Sequence, residues 1–379
     1  VNLMLVEMHK NYSYKLYVTD RTRHLDDMIE IARQIWNHFL ALQKRYYRIY
    51  GKYISANRMK THLTKLKRLS RYQNWNQLGS QAAQDVVERL DRSYQAFFDW
   101  CKNRSGPKKS PPKFRKRWKY RSFTLKQAGW AIQDNVITIA RKYRFKFWKH
   151  RDFKGEIKTI TIKRLPSGDY YIYLSVIEQV FVPDAHAGNA VGIDFGLKTF
   201  LTLSDGTEVA SPEWLKNSLS DIRKASRNLS RKELGSNNRK RARLQYEKIH
   251  ENVANRRRDW FYKLARDLTI KYSVICIEDL NLDGMKRIWG RKVSDLAYSE
   301  FVKILEYEAL INGCEIIKVD RWYPSSKTCS SCGFLNDDLS LKIRDWVCPS
   351  CGIQHRRDFN ASVNILNQGL LTRYGTSIA

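Results

Sequence analysis

The sequence predicts a multidomain α+β chain, and three features of its patterning carry that prediction. Hydrophobic and polar residues alternate at the start, take a helical period over residues 24–101, and alternate again after a basic, Pro- and Gly-punctuated stretch. Beyond residue 188, strand-like and helix-like segments follow one another, as in an α/β core. Late in the chain stand two Cys-x2-Cys pairs separated by 15 residues.

Taken in order, residues 1–20 contain NYSYKLYV, whose alternation predicts a strand. Over 24–50, Met28, Ile31, Ile35, Phe39 and Leu42 recur every three or four positions and predict a helix. A second helix is expected near 57–70. A third is expected near 79–101, with Val86, Val87, Leu90, Tyr94 and Phe97 on one face. Residues 101–150 hold sixteen Lys or Arg and one acid, Asp134. The segments NVITIA, RFKFW, IKTITIKRL and YYIYLSVIE read as strands, with QDN and PSGD as turns, and predict a small antiparallel barrel or sandwich that includes the first strand. After 188, AVGIDFGLKTFLTLSDGTEVAS reads as hairpin-linked strands. A helical region follows, with thirteen Lys or Arg against three Glu over 223–258 and an apolar stripe of Ile249, Val253, Trp260, Leu264 and Leu268. SVICIEDL is expected as a buried strand, 294–312 as a helix and CEIIKVD as another strand.

Composition narrows the function classes. With 379 residues, 42% apolar and 12% aromatic, the chain has material for two or three domains with a real core and is no disordered basic tail. Sixty-nine Lys and Arg against 38 Asp and Glu give a net charge of +31, which implies a polyanionic partner. Nucleic acid fits better than a membrane, because no stretch approaches the roughly 20 apolar residues of a spanning helix. Cys101, Cys276 and Cys314 are scattered and no secretory apolar segment precedes them, so a reducing cytoplasm shared with the nucleoid is expected.

Three carboxylates stand out. Asp194 interrupts the apolar strand GIDFG, and Glu278 ends the apolar strand VICIED. A charge in such a strand is costly unless paired, hydrogen-bonded or bound to a cation. Asp358 opens the helix DFNASVNIL, where the plainer alternative is an N-cap. Asp279 and Asp283 have similar readings as loop caps. A strand Asp, a strand-end Glu and a helix-start Asp on one core form a donor set for hard divalent ions, two Mg2+ or Mn2+, of the kind that hydrolyses phosphodiesters. Asp194 is the candidate to bridge the two ions.

Cys329, Cys332, Cys348 and Cys351 have the spacing of a zinc ribbon, which predicts one structural, closed four-thiolate Zn2+ site. His355 lies near, but four cysteines fill a tetrahedral shell, so it reads as a loop or helix-entry histidine. Trp322, Tyr323, Arg344 and Trp346 around the ribbon are candidates for nucleic-acid contact, with structural packing the alternative for the tryptophans.

GIDFGLKTFLTLSDG, VICIEDLNLDGM and HRRDFNASVNIL resemble the three split RuvC motifs of the TnpB family, compact relatives of type V CRISPR effectors. PKFRKR, RSF and FKFWKHR resemble that family's wedge domain, and WNHFLALQKRYY and DRSYQAFFDW its helical recognition insert. The resemblance implies a ribonuclease H-like (RuvC) α/β nuclease core over 186–379 with a zinc-ribbon target-nucleic-acid-binding insert at 322–354. It further implies a β-barrel wedge domain from 1–20 and 110–185, and a helical recognition domain over 21–109. It assigns catalysis and Mg2+ binding to Asp194, Glu278 and Asp358. The activity it implies is RNA-guided cleavage of double-stranded target DNA beside a short adjacent motif, with a transposon-derived guide RNA and no need for a protein oligomer. Gln84 lies in a segment resembling the motif-reading helix, with an exposed helical Gln as the plainer reading. Lys113, Arg115, Lys116, Arg117, Arg256, Arg257 and Arg258 are candidate phosphate contacts, with plain surface charge the alternative. The other functions that fit are a nuclease-silent RNA-guided DNA-binding regulator and a transposase acting on transposon ends.

Overall fold

The computed structural model describes residues 3–104, 106–117, 119–183, 189–196, 199–212, 214–279, 297–340 and 343–375. Asp283, the Leu197–Lys198 step of the GIDFGLKTF segment and the expected helix start at 294–296 lie outside them. The chain divides into two units: residues 7–180, and residues 181–379 with the first six.

In residues 7–180, helices and strands share one core. Helix α1 (Arg23–Tyr50) buries Leu25, Met28, Ile29, Ala32, Ile35, Trp36, Phe39 and Leu40, and ends on left-handed Gly51. Helix α2 (Ala56–Leu66) stops four residues short of its expected end. There the Asn76 side chain donates to the Lys67 carbonyl, and Ser70–Leu78 follows as 3-10 turns. Helix α3 (Ser80–Asn103) buries Val86, Val87, Leu90 and Tyr94, as the periodicity predicts. These helices pack on strands β1 (Leu3–Lys15), β2 (Ser122–Leu125), β6 (Glu156–Arg164) and β7 (Tyr170–Pro183), which form a sheet in the order β1-β7-β6-β2. A second antiparallel sheet contains β3 (Trp130–Gln133), β4 (Val136–Ile139) and β5 (Tyr143–Lys146). A bridge between Leu16 and Phe147 links the two sheets.

The second unit is built on a five-stranded mixed sheet. Its members are β8 (Asn189–Phe195), β9 (Thr199–Leu203), β10 (Glu208–Ala210), β11 (Tyr272–Glu278) and β12 (Glu315–Val319), in the order β10-β9-β8-β11-β12. The first three form antiparallel hairpins, whereas β8, β11 and β12 are parallel. The expected single basic helical region is two helices, α4 (Trp214–Ser230) and α5 (Asn237–Lys271). The break falls where Ser236 caps α5 by accepting from the Arg239 backbone N–H. Phe261 and Leu268 of α5, with Phe301 and Leu305 of α6 (Tyr298–Asn312), cover one sheet face against Ile193, Ile275 and Ile277. Helix α7 (Arg357–Tyr374) covers the other, placing Ile365, Leu366 and Leu370 on Cys276, Ile317 and Val319.

Candidate functional site

Strand register places the first two acids side by side. Ile193 of β8 pairs with Ile277 of β11, so Asp194 and Glu278 are the next residues along neighbouring parallel strands. Alternation puts both isoleucines into the core under α5 and α6 and both acids on the opposite face, under α7. Helix α7 lies very close to that face. A Cβ on Gly192 would stand 2.0 Å from the Ser362 carbonyl oxygen, and one on Gly369 would stand 2.5 Å from Cys276 Sγ. Gly192 shares the face of Asp194, so the contact with Ser362 fixes where the helix crosses. Asp358 is one turn closer to the N-terminus of that helix. The N-cap position belongs to Arg356, which makes no side-chain cap bond, so Asp358 is a first-turn residue rather than a cap.

The electrostatics fit three converging acids. Burial, then the charges of Asp358 and Glu278, push the Asp194 carboxyl up to about 7 against the opposing Arg357 and Arg344. Burial and the neighbouring Asp279 push Glu278 up to about 7. Asp358 is held by Arg344, whose Nη1 donates to both carboxylate oxygens at 2.8 and 2.5 Å. Arg357 adds bonds of 3.3 and 3.2 Å to Asp358 Oδ1. Tyr298, buried beside the site, donates its hydroxyl to the Gly196 carbonyl, two residues beyond Asp194. Its own ionisation is pushed up by burial and by the Asp194 charge. The hard oxygen donors of such a set suit divalent ions.

The cysteines form a separate cluster. Among the described residues they are the one group of three or more Cys, His, Asp or Glu placed to hold a metal ion, with all four Sγ atoms within 4.8 Å of one another; the oxygens of Asp194, Glu278 and Asp358 are not gathered so closely. Cys329 and Cys351 are 3.7 Å apart, as are Cys332 and Cys348. Tetrahedral thiolates at about 2.3 Å from one ion stand about 3.8 Å apart, so the cluster fits a metal ion. The two knuckles are built alike. The Gly333 and Gly352 N–H groups donate to the Cys329 and Cys348 carbonyls, and the Cys329 and Cys348 N–H groups donate to Phe334 and Ile353. His355 is on a strand rather than in a loop: β14 (Gln354–Arg356) pairs with β13 (Asp345–Val347). Its Nε2 lies 3.0 Å from Cys329 Sγ. Trp346 is buried against His355, which assigns it to packing, whereas Trp322 is 83% exposed.

Residues not singled out in the sequence tie the ribbon to α7. Buried Asn360 donates to the Thr328 carbonyl and accepts from the Ser330 N–H, at 2.7 and 2.9 Å. Buried Asn364 donates to the Ser325 and Thr328 carbonyls. The first cysteine knuckle is thereby fastened to the helix that carries Asp358.

The candidate nucleic-acid contacts fare unevenly. Lys113, Arg115, Lys116 and Arg117 are exposed. Side-chain N–H groups of Arg33, Asn37 and Trp36 donate to the carbonyls of Arg115 and Lys113 and fasten their segment to α1. Arg117 lies 3.8 Å from Glu30. Arg256 is exposed on α5, but Arg257 and Arg258 pair with Glu300 at 3.4 and 2.8 Å. Gln84 is half-buried on α3. Arg344 is engaged by Asp358 and stays partly exposed.

Comparisons with known proteins place this architecture. Residues 173–289 match a family model described as "Probable transposase", 298–365 one described as "Cas12f1-like, TNB domain", and 4–52 one described as "Helix-turn-helix domain". In this chain 4–52 form a strand and one long helix rather than a helix-turn-helix. A Streptomyces pristinaespiralis protein named "Putative RNA-guided DNA endonuclease" is 29% identical over 97% of this chain and 91% of its own length. The Escherichia coli K12 protein "Putative RNA-guided DNA endonuclease InsQ" is 26% identical over 89% of this chain and 86% of its own length. Among solved structures, a chain of the Cas12f1-sgRNA-target DNA complex superposes with a TM-score of 0.55 at 17% identity, over 92% of this chain and 83% of that one, a likeness of fold. The mixed α/β content and the late four-cysteine cluster accord with that likeness of fold. Its family matches and relatives support a TnpB-family protein. Among its described residues, no helix is long and apolar enough to cross a membrane.

Proposed function

We propose that this protein is an RNA-guided DNA endonuclease whose catalytic acids are Asp194, Glu278 and Asp358. The observation that carries the reading is the packing of α7 on the β8–β11 face, which brings the charge of first-turn Asp358 to bear on Asp194, beside Glu278 on the next strand, with both strand carboxyls pushed to about 7. The sheet order, three antiparallel strands continuing into two parallel ones, supports reading this unit as a ribonuclease H-like (RuvC) core. The three acids would hold two Mg2+ ions. When bound, such ions stabilise charge on the attacking and leaving oxygens of a phosphodiester. The protein's own groups do the rest. Strand register holds Glu278 and Asp194 side by side, Tyr298 holds the Gly196 carbonyl two residues beyond Asp194, and Arg344 and Arg357 supply positive charge beside Asp358. The cysteines would hold one structural Zn2+. A guide RNA and double-stranded target DNA are the partners this reading requires, and the charge of +31 suits both. Residues 186–379 act as nuclease domain, the sheets flanking 21–109 as wedge, and the helices as recognition insert.

The test is a cleavage assay with the chain, its flanking transposon RNA, matched DNA and Mg2+. Wild type cuts only when guide and target match, and Asp194→Ala binds target without cutting. Cutting by Asp194→Ala at the wild-type rate would overturn the site. Strand-transfer products without any RNA requirement would mark a transposase instead.

A further inference from the structure

Strand β5 carries an outward stripe that the catalytic reading leaves unused. Tyr143, Phe145 and Phe147 point toward the core, so Arg144, Lys146 and Trp148 point away from it. Backbone bonds from Tyr17 N–H to the Lys146 carbonyl and from Trp148 N–H to the Lys15 carbonyl clamp the end of this stripe against the chain following β1. The clamp sets the rings of Tyr17 and Trp148 in a parallel stack, with centroids 4.8 Å apart and planes 18° from parallel. Trp148 is nevertheless 58% exposed, so one ring face is covered by Tyr17 and the other is open. Lys146 Nζ lies 5.7 Å from the Tyr17 ring centroid. Arg144 is exposed and makes no ion pair among the described residues. Across the sheet, register brings Thr138 beside Arg144 and Ala131 beside Thr138. The outer face is therefore flat, built of short side chains and edged by cations, with an aromatic step at one end.

We propose that this face is a docking platform for single-stranded RNA, with an unpaired base stacking on the open face of Trp148 and its neighbouring phosphates on Arg144 and Lys146. The chemistry argues for a nucleobase over an apolar peptide. A stacked aromatic pair extends its stack with another flat π system, and the cations beside it match phosphates spaced along a strand. RNA is favoured over DNA because guide RNA keeps unpaired loops and ends permanently available, whereas target DNA arrives base-paired. This assignment rests on the RNA-guided reading and places one contact of that RNA.

The experiment uses the full chain with a 20-nucleotide RNA carrying 4-thiouridine and, in parallel, DNA of the same sequence carrying 4-thiothymidine. Irradiation is expected to cross-link RNA to the peptides containing Tyr17 and Trp148. Trp148→Ala is expected to weaken RNA binding about tenfold, and Trp148→Phe to restore most of it. Affinity of Trp148→Ala within twofold of wild type, with cross-links mapping elsewhere, overturns the platform. Cross-links at these residues from DNA alone overturn the choice of RNA. Wild-type guided cleavage is measured beside these assays. Its absence counts against the endonuclease reading, while normal cleavage by wild type with unchanged RNA binding by Trp148→Ala counts against the platform only.

Discussion

The Arg344 guanidinium grips both carboxylate oxygens of Asp358, and through that grip the segment between the cysteine knuckles reaches the third candidate acid. The two side chains are partly exposed, so the pair adds little to stability, on the order of 0–1 kcal/mol. Its larger effect is electrostatic, since Arg344 is one of two cations that hold the Asp194 carboxyl down.

Arg344→Ala is therefore expected to raise the proton affinity of Asp194. With limiting Mg2+, the pH at which cleavage reaches half its maximum shifts upward relative to wild type, while the melting temperature changes little. Cleavage rates measured from about pH 6 to pH 9 check this, and an unchanged midpoint would contradict the coupling.

The raised carboxyls also set a stability slope. Asp194 and Glu278 titrate near 7 in the folded chain and near 3.8 and 4.5 when unfolded. The folded state thus holds their protons more tightly. Its stability is greatest below the unfolded values and declines as pH rises through them toward 7. Metal-free protein should melt several degrees lower at about pH 8 than at about pH 5.5, and Asp194→Asn should flatten that slope. Protons and Mg2+ compete for the same oxygens, so stabilisation by added Mg2+ should grow with pH in wild type and shrink in the variant. Calorimetry in chelator and in Mg2+ at both pH values tests both statements.

Much of this site is legible in the sequence because its anomalies are local. A charge inside Val-Gly-Ile-Asp-Phe and thiols at two-residue spacing stand out without any knowledge of what packs against them. The partners do not. Asn360 and Asn364 look like ordinary polar helix positions, and their bonds reach back 30 to 39 residues to the knuckle. Arg344 reads as one more cation in a basic chain until Asp358 is placed beside it. The same excess of cations hides the break between α4 and α5, since ELGSNN sits inside a charged run whose apolar stripe resumes beyond it. Gly192 carries no signal of its own, because its smallness matters only where Ser362 crosses.

Gly192→Ala should be among the costlier single-methyl changes in the chain. The added Cβ meets backbone at Ser362 and Leu366, which cannot swing aside as a side-chain tip does. Overpacking of this kind costs about 1–3 kcal/mol or more, which lowers the melting temperature by roughly 2–10 °C. Displacing α7 also moves Asp358 off Asp194 and Glu278, so cleavage should fall further than the lost stability explains. Gly206→Ala, at an open turn where a Cβ meets nothing within 4 Å but φ is +87°, is the control, with strain but normal cleavage.

The asparagine ties separate two roles of the ribbon, holding its metal and holding α7. Cys348→Ser removes a ligand and should lower bound zinc from one equivalent per chain to well below one, with loss of the fold around the knuckles. Asn364→Ala leaves the four thiols untouched but strips the Ser325 and Thr328 carbonyls of a donor at a buried position, a loss of about 1–3 kcal/mol. That variant should keep its full zinc equivalent, melt lower and cut more slowly, because the knuckle no longer anchors the helix bearing Asp358. Metal analysis beside cleavage kinetics distinguishes the two. Zinc loss in Asn364→Ala would make the tie part of the metal site itself, and wild-type cleavage in that variant would show that the ribbon and the acids act independently.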